Sequence, residues 1–224
     1  MSDGEPLLRQ HGGFRQLKSF QLARLVYDIT VRFCDRYVAR RSRTHDQMVQ
    51  AARSGVQNIA EGSQASGTSR KFELKLTNVA RASLEELRLD YEDFLRQRGL
   101  PILPQDHPVL LRFKALRCDS LVTFRGWVAE ERVRVKAGGG LGTGNTDLHG
   151  PSPTDTDREL QHQLGVPLSS ACLAANGALS LLNLTCFLLD RQIKRLAQDF
   201  EKEGGFTERL YRVRRSHRAQ KPKP

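Results

Sequence analysis

The spacing of apolar residues along the chain predicts four long helices and no sheet. Over 15–41, Leu22, Leu25, Val26, Ile29 and Phe33 recur at steps of three and four, which draws one apolar stripe on a helix. Over 45–62 the stripe is Met48, Ala52, Val56 and Ile59, flanked by the small residues Ala51, Gly55 and Ala60 that let a neighbour approach closely. Thr44 and Gln47 have the spacing of a capping box, Asp46 suits the first turn, and Gly62 is placed to stop the helix. A third helix over 68–98, about 30 residues or ~45 Å long, carries Phe72, Leu76, Val79, Leu84, Leu87, Tyr91 and Phe94. With the Gly/Ser-rich turn at 61–67 these two form a helical hairpin over 44–98.

Gly99, Pro101, Pro104 and Pro108 then break the pattern. Val109, Leu110, Phe113 and Leu116 suggest a short helix, 121–135 another, and Trp127 reads as a packing anchor. Residues 137–153 hold six glycines and two prolines, the composition of a flexible linker. The last helix, 169–202, is the most regular. Cys172, Ala175, Leu179, Leu182, Cys186, Leu189, Ile193, Leu196 and Phe200 keep an unbroken a/d seam, with Asn176 and Asn183 on a second face. Residues 165–189 carry no charge, but the seam and the two Asn favour a helix packed on partners over a membrane span. The expected fold is all-α: an antiparallel four-helix bundle with a helical and loop insert before the last helix. The corresponding divisions are an arm at 1–13, three helices at 14–98, an insert at 99–136, a linker at 137–166, the last helix at 167–202 and a basic tail at 203–224.

Composition agrees, since Leu, Ala and Arg dominate and only 7% of the 224 residues are aromatic. A chain of this length buries roughly 70% of its unfolded surface. Charge adds a functional direction: the net charge is +11 and the isoelectric point about 10.0, which attracts polyanions, above all nucleic acid. Arg24, Asp28, Arg32, Arg36 and Arg40 form a row at strict four-residue spacing away from the apolar stripe. Between Phe14 and Arg43 eight basic residues face two acidic ones. Candidate phosphate contacts are therefore Arg24, Arg32, Arg36, Arg40, Arg41 and Arg43, with Arg212, Arg214, Arg215 and Arg218 from the tail. The later half of the third helix is acidic, with Glu85, Glu86, Asp90, Glu92 and Asp93, either as a solvated face or to meet that basic row.

Catalytic and metal signals are sparse. The six histidines lie mostly in arms and loops without ligand spacing, and there is no phosphate loop, GxSxG or dinucleotide fingerprint, so neither metal nor cofactor is expected. Cys34, Cys118, Cys172 and Cys186 lack CxxC spacing and read as buried thiols, and 1–13 has no apolar core of a signal peptide, so a cytoplasmic protein without membrane association is expected. One enzymatic alternative comes from spacing. Arg40 to His45 and Arg212 to His217 each have four residues between them, which resembles the Arg–His pair of HEPN-superfamily ribonucleases, metal-independent all-α enzymes. Those enzymes favour a polar residue after the Arg, where this chain has Arg41 and Val213.

Asp46-Gln47, Ser54, Asn58-Ile59-Ala60-Glu61-Gly62 and Ala80-Arg81-Ala82-Ser83-Leu84-Glu85 resemble the signature of the four-helix-bundle proteins, also called 23S rRNA intervening-sequence proteins. The same fold serves as the accessory variability determinant of diversity-generating retroelements. The resemblance spans 18–98; Leu188 to Ile193 and Gly204 to Arg209 resemble the C-terminal suffix domain of some members. It implies a homopentameric ring with a basic surface and, in the retroelement branch, a reverse transcriptase and nucleic acid (RNA or DNA) as partners. Ala82 stands where the family often has Gly, and 99–166 is inserted before the last helix. Within the motif, Asn58 and Glu61 at i,i+3 read as a structural pair tying the turn to the next helix. Function thus reads as a non-catalytic, basic, oligomeric scaffold for nucleic acid or a nucleic-acid enzyme, against a protein–protein assembly module.

Overall fold

Small residues and serine caps set where the helices begin and how closely they meet. The computed structural model describes residues 12–138, 168–204 and 206–219. The expectations of an arm at 1–11 and of a linker at 139–167 lie outside the described residues. The chain is all-α, with no strand among the described residues. After a short 3-10 turn at Gly13–Gln16 come α1 (Lys18–Tyr37), α2 (Arg43–Ala65), α3 (Arg70–Gln97), α4 (Pro108–Ala115), α5 (Leu121–Gly138), α6 (Ser170–Glu203) and α7 (Phe206–Ala219). The N-cap of α2 is Ser42, whose hydroxyl accepts from the Thr44 amide at 3.2 Å, so Thr44 is not the cap. Ser69 and Ser169 cap α3 and α6 in the same way.

The hairpin of α2 and α3 is the most intimate pairing. Gly62 does not stop α2, which continues to Ala65. Its missing side chain instead admits α3, because a Cβ there would lie 3.3 Å from the Glu73 carbonyl and from Leu76 Cβ. About two turns earlier, a Cβ on Gly55 would come within 2.6 Å of Leu84 Cδ2. Beside them Ser54 and Ser83 share a hydrogen bond at 3.0 Å, and the Asn58 amide donates to Ser54 within its own helix. Asn58 therefore reaches α3 only through Ser54, while Glu61 is exposed.

α1 packs along α2 and α6, and α3 packs along α2 and α6. Neighbours run in opposite directions: Arg81 meets Asp190 where α3 passes α6, and Arg70 donates to the Asp199 carbonyl farther along. Phe33 of α1 meets Tyr91 and Phe94 of α3 in tilted and edge-to-face contacts, with centroids 4.8 and 4.7 Å away. The buried Tyr91 hydroxyl donates to Thr30, which donates to the Val26 carbonyl. The buried residues of α3 are Thr77, Ala80, Leu84, Leu87, Tyr91, Phe94 and Leu95. Of the residues expected in its stripe, Phe72 and Val79 are exposed and Leu76 is half-buried; Val79 precedes Ala80 by one residue and so points about 100° away from it.

α6 is the common strut. Its seam from Cys172 to Leu189 is buried as expected, and every residue from Cys172 to Leu179 is buried. By length and composition it could cross a membrane, yet 72% of its most apolar stretch is buried inside the protein. The outer face of its first half is covered by α4 and α5. Gly177 makes room for them: a Cβ there would lie 2.7 Å from the Trp127 ring and 2.9 Å from Phe124. Phe113 completes this cluster, 4.5 Å from Trp127 between centroids. Arg112 of α4 clamps the buried Glu131 of α5 with two bonds of 2.8 and 2.7 Å. The buried Asn176 side chain accepts from the Leu103 amide and donates to the Pro101 carbonyl, which ties the loop before α4 to α6. The four cysteines are free and buried. Part of the expected basic tail is helical, as α7.

Two glycines separate packing from propensity. Gly177→Ala should lower stability by about 1–3 kcal/mol, because the added methyl collides with rings that cannot retreat. Gly126→Ala on α5, where nothing lies within 4 Å, should raise stability by about 0.5–1 kcal/mol. Urea unfolding measures both, and equal effects at the two sites would contradict this packing.

Candidate nucleic-acid interface

The arginine row of α1 follows from its helix. Residues four apart lie on one side, and Leu22, Leu25, Val26, Ile29 and Phe33 take the buried side. Arg24, Arg32 and Arg36 are exposed and span about 18 Å of the helix. Arg40 and Arg41 lie beyond its end and Arg43 opens α2, all three exposed. Arg40 sits 3.6 Å from Asp35, and the Arg36 guanidinium lies 5.7 Å from the Tyr37 ring centroid. Among the described residues, no carboxylate comes within 4.0 Å of Arg24, Arg32, Arg36, Arg41 or Arg43.

The structure adds two arginines to this row. A cleft of about 190 Å³ opens between α1 and α5, with Ser170 and Ala174 of α6 at its back. Arg32 and Arg36 line one side, Arg125 and Arg132 the other. The wall between them is apolar: Ile29, Phe33, Leu121, Phe124 and Val128. No Asp, Glu, His or Cys lines it. The cleft therefore offers four guanidinium charges beside an apolar surface, with Tyr37 and Ser170 as its other polar side chains. α5 is held in place by the Ser120 hydroxyl at its start, which accepts from the Thr123 amide, and by the Phe124, Trp127 and Glu131 contacts.

Arg125 and Arg132 are absent from the sequence-derived candidates. The available signal was their spacing of seven, flanking the stripe Leu121, Phe124 and Val128, on a helix with little amphipathic contrast. Conversely, the structure does not gather all the predicted arginines. Arg43 lines a different, shallow cleft between α2 and α3 that also contains Asp46 and Glu86. Arg212, Arg214 and Arg215 are exposed on α7 and none lines the α1–α5 cleft. The side chain of Arg218 lies outside the described residues.

Arg40 and His45, the spacing that resembles a HEPN pair, converge on one carboxylate, with His45 Nε2 at 3.7 Å and Arg40 at 3.6 Å from Asp35. The His217 side chain of the second pair lies outside the described residues. The acids of α3 turn largely to arginines of the same helix: Glu85 to Arg81 and Arg88, Glu92 to Arg88, Asp93 to Arg96. None of these pairs reaches the α1 row. No cluster of three or more metal-binding side chains occurs among the described residues.

Compared with known proteins, the chain matches no family model, no curated protein and no solved structure.

Two carboxyls are held above their ordinary range. Burial, then the nearby Asp199, pushes Glu73 up from 4.5 to about 7. Burial, then Glu86 and Asp93, pushes Asp90 up to about 6. A carboxyl with a raised folded pKa binds more protons folded than unfolded between the two values, so its contribution is full below pH 4.5 and lost as pH rises through about 7. Glu73→Gln should therefore raise the thermal midpoint above pH 7 and leave it nearly unchanged below pH 4.5. A difference between the two proteins that stays constant across that window would contradict the assignment.

Proposed function

We propose that this protein is a non-catalytic nucleic-acid-binding scaffold that contacts phosphates through arginine. The observation that carries the reading is the α1 row, exposed and almost free of acidic partners, joined across a cleft by Arg125 and Arg132. A net charge of +11 supports it, because unneutralised arginines raise the local concentration of polyanions. The tail arginines Arg212, Arg214 and Arg215 extend the basic surface on α7. The resemblance of 18–98 to the four-helix-bundle family would add a ring of identical subunits and a reverse transcriptase as partner.

A second reading, assembly through protein contacts alone, is favoured by one observation. Ile102, Leu111, Leu184 and Phe187 are about half exposed, and three of them line a cleft of about 380 Å³ between α6 and the loop before α4. Native mass spectrometry of the wild type and of Phe187→Asp tests it; loss of oligomer without change in nucleic-acid binding would separate assembly from binding.

For the first reading, binding measured by fluorescence anisotropy between about 50 and 200 mM salt should weaken by roughly 0.7–0.9 log units per phosphate contact per log unit of salt. Arg32→Glu with Arg36→Glu should flatten that slope by about two contacts. Salt-insensitive binding, or none, would exclude phosphate contact. Metal-independent RNA cleavage lost in His45→Ala would instead revive the ribonuclease alternative.

A further inference from the structure

We infer that the cleft between α1 and α5 seats one unstacked base of a single-stranded nucleic acid, with the phosphates on either side of it held by the two arginine pairs. The inference rests on the nucleic-acid reading above and names the form of nucleic acid that this protein takes.

Three properties of the cleft point there. First, its charge is arranged on two sides. Arg32 and Arg36 project from α1 and Arg125 and Arg132 from α5, with apolar wall between the pairs. A nucleotide within a strand has the same layout, with an anionic phosphate before and after a flat, largely apolar ring. Second, the charge is uncompensated. Among the described residues no carboxylate pairs with these four arginines and none lines the cleft: Asp28 stands four residues before Arg32 on α1 but outside the lining, Asp35 lies 3.6 Å from Arg40, and Glu131 is buried under Arg112. Four cations of one sign around a small apolar space repel one another until an anion arrives.

Third, the size is selective. About 190 Å³ is below the roughly 300–1,000 Å³ of pockets that enclose whole drug-sized ligands. It suits one ring inserted from a longer molecule whose charged remainder stays outside. Leu121 and Val128, half-buried over the buried Ile29, Phe33 and Phe124, give that ring an apolar surface to lie against, and guanidinium planes stack on bases. A duplex presents only phosphate to such a site, since its bases are paired and stacked, and extruding one costs a few kcal/mol. A single strand delivers the base at much lower cost. The α1 row outside the cleft, by contrast, contacts phosphate in either form.

The experiment compares a fluorescein-labelled single-stranded RNA with the same sequence annealed to its complement, at two salt concentrations, using the full-length protein. The wild type should bind the single strand about tenfold or more tightly than the duplex. Val128→Trp, which fills the cleft, should abolish that preference while leaving duplex binding in place. Arg125→Ala with Arg132→Ala, both exposed, should reduce single-strand affinity more than duplex affinity; this pair decides the matter if Val128→Trp fails to fold. Arg24→Ala with Arg41→Ala, outside the cleft, should weaken both forms by a similar factor. Equal or tighter duplex binding by the wild type overturns the cleft assignment and leaves the nucleic-acid reading standing. So does a folded Val128→Trp that keeps the preference. Binding of neither form overturns both.

Discussion

The first half of α6 must be buried on every side, and the rest of the molecule is arranged to do it. From Cys172 to Leu179 no residue is exposed, whereas an ordinary packed helix hides one stripe and leaves the rest to water. α1 and α3 cover the inner faces. The outer face requires another layer, and α4 and α5 supply it through Phe113, Phe124 and Trp127, seated where Gly177 has no side chain. That requirement also explains two buried polar groups. Asn176 is satisfied by the backbone of the loop entering the layer, and Glu131 by Arg112 within it. Each is paired, as burial demands.

The candidate site is a by-product of the same constraint. Docking α5 on α6 brings its side next to α1, and the groove left between them is rimmed by arginine from both. On α3 Arg88 and Arg96 are paired with Glu85, Glu92 and Asp93, and on α4 Arg112 is paired with Glu131. Around the α1–α5 cleft no such pair occurs among the described residues. Because Arg36 rests near Tyr37 and the others extend into water, the unpartnered charge costs the folded state little, and it remains available to a polyanion.

Much of the architecture was legible from periodicity alone. The seam of α6, the stripe of α1, the buried cysteines and the anchoring Trp127 all follow from apolar spacing and residue size. The errors fall where local and tertiary preferences compete. Gly62 has the look of a helix stop, yet α2 continues to Ala65 and the glycine instead admits the close approach of α3. Thr44 fits a capping box, but Ser42 stands two residues earlier with the same chemistry and takes the role. Phe72 and Val79 match a helical step but sit on a face that no neighbour covers.

The sequence by itself determined that the chain is helical, which faces are apolar, and that α1 carries a row of cations. Those properties depend on residues three and four apart, so they are written locally. Only the tertiary structure decided that Arg125 and Arg132 stand opposite Arg32 and Arg36, about 100 residues of chain being folded between neighbours. It also decided that Arg43 belongs to another cleft and that α6 is buried on every side from Cys172 to Leu179. Contacts between distant segments depend on which surfaces bury each other, and that choice is made by the whole molecule at once.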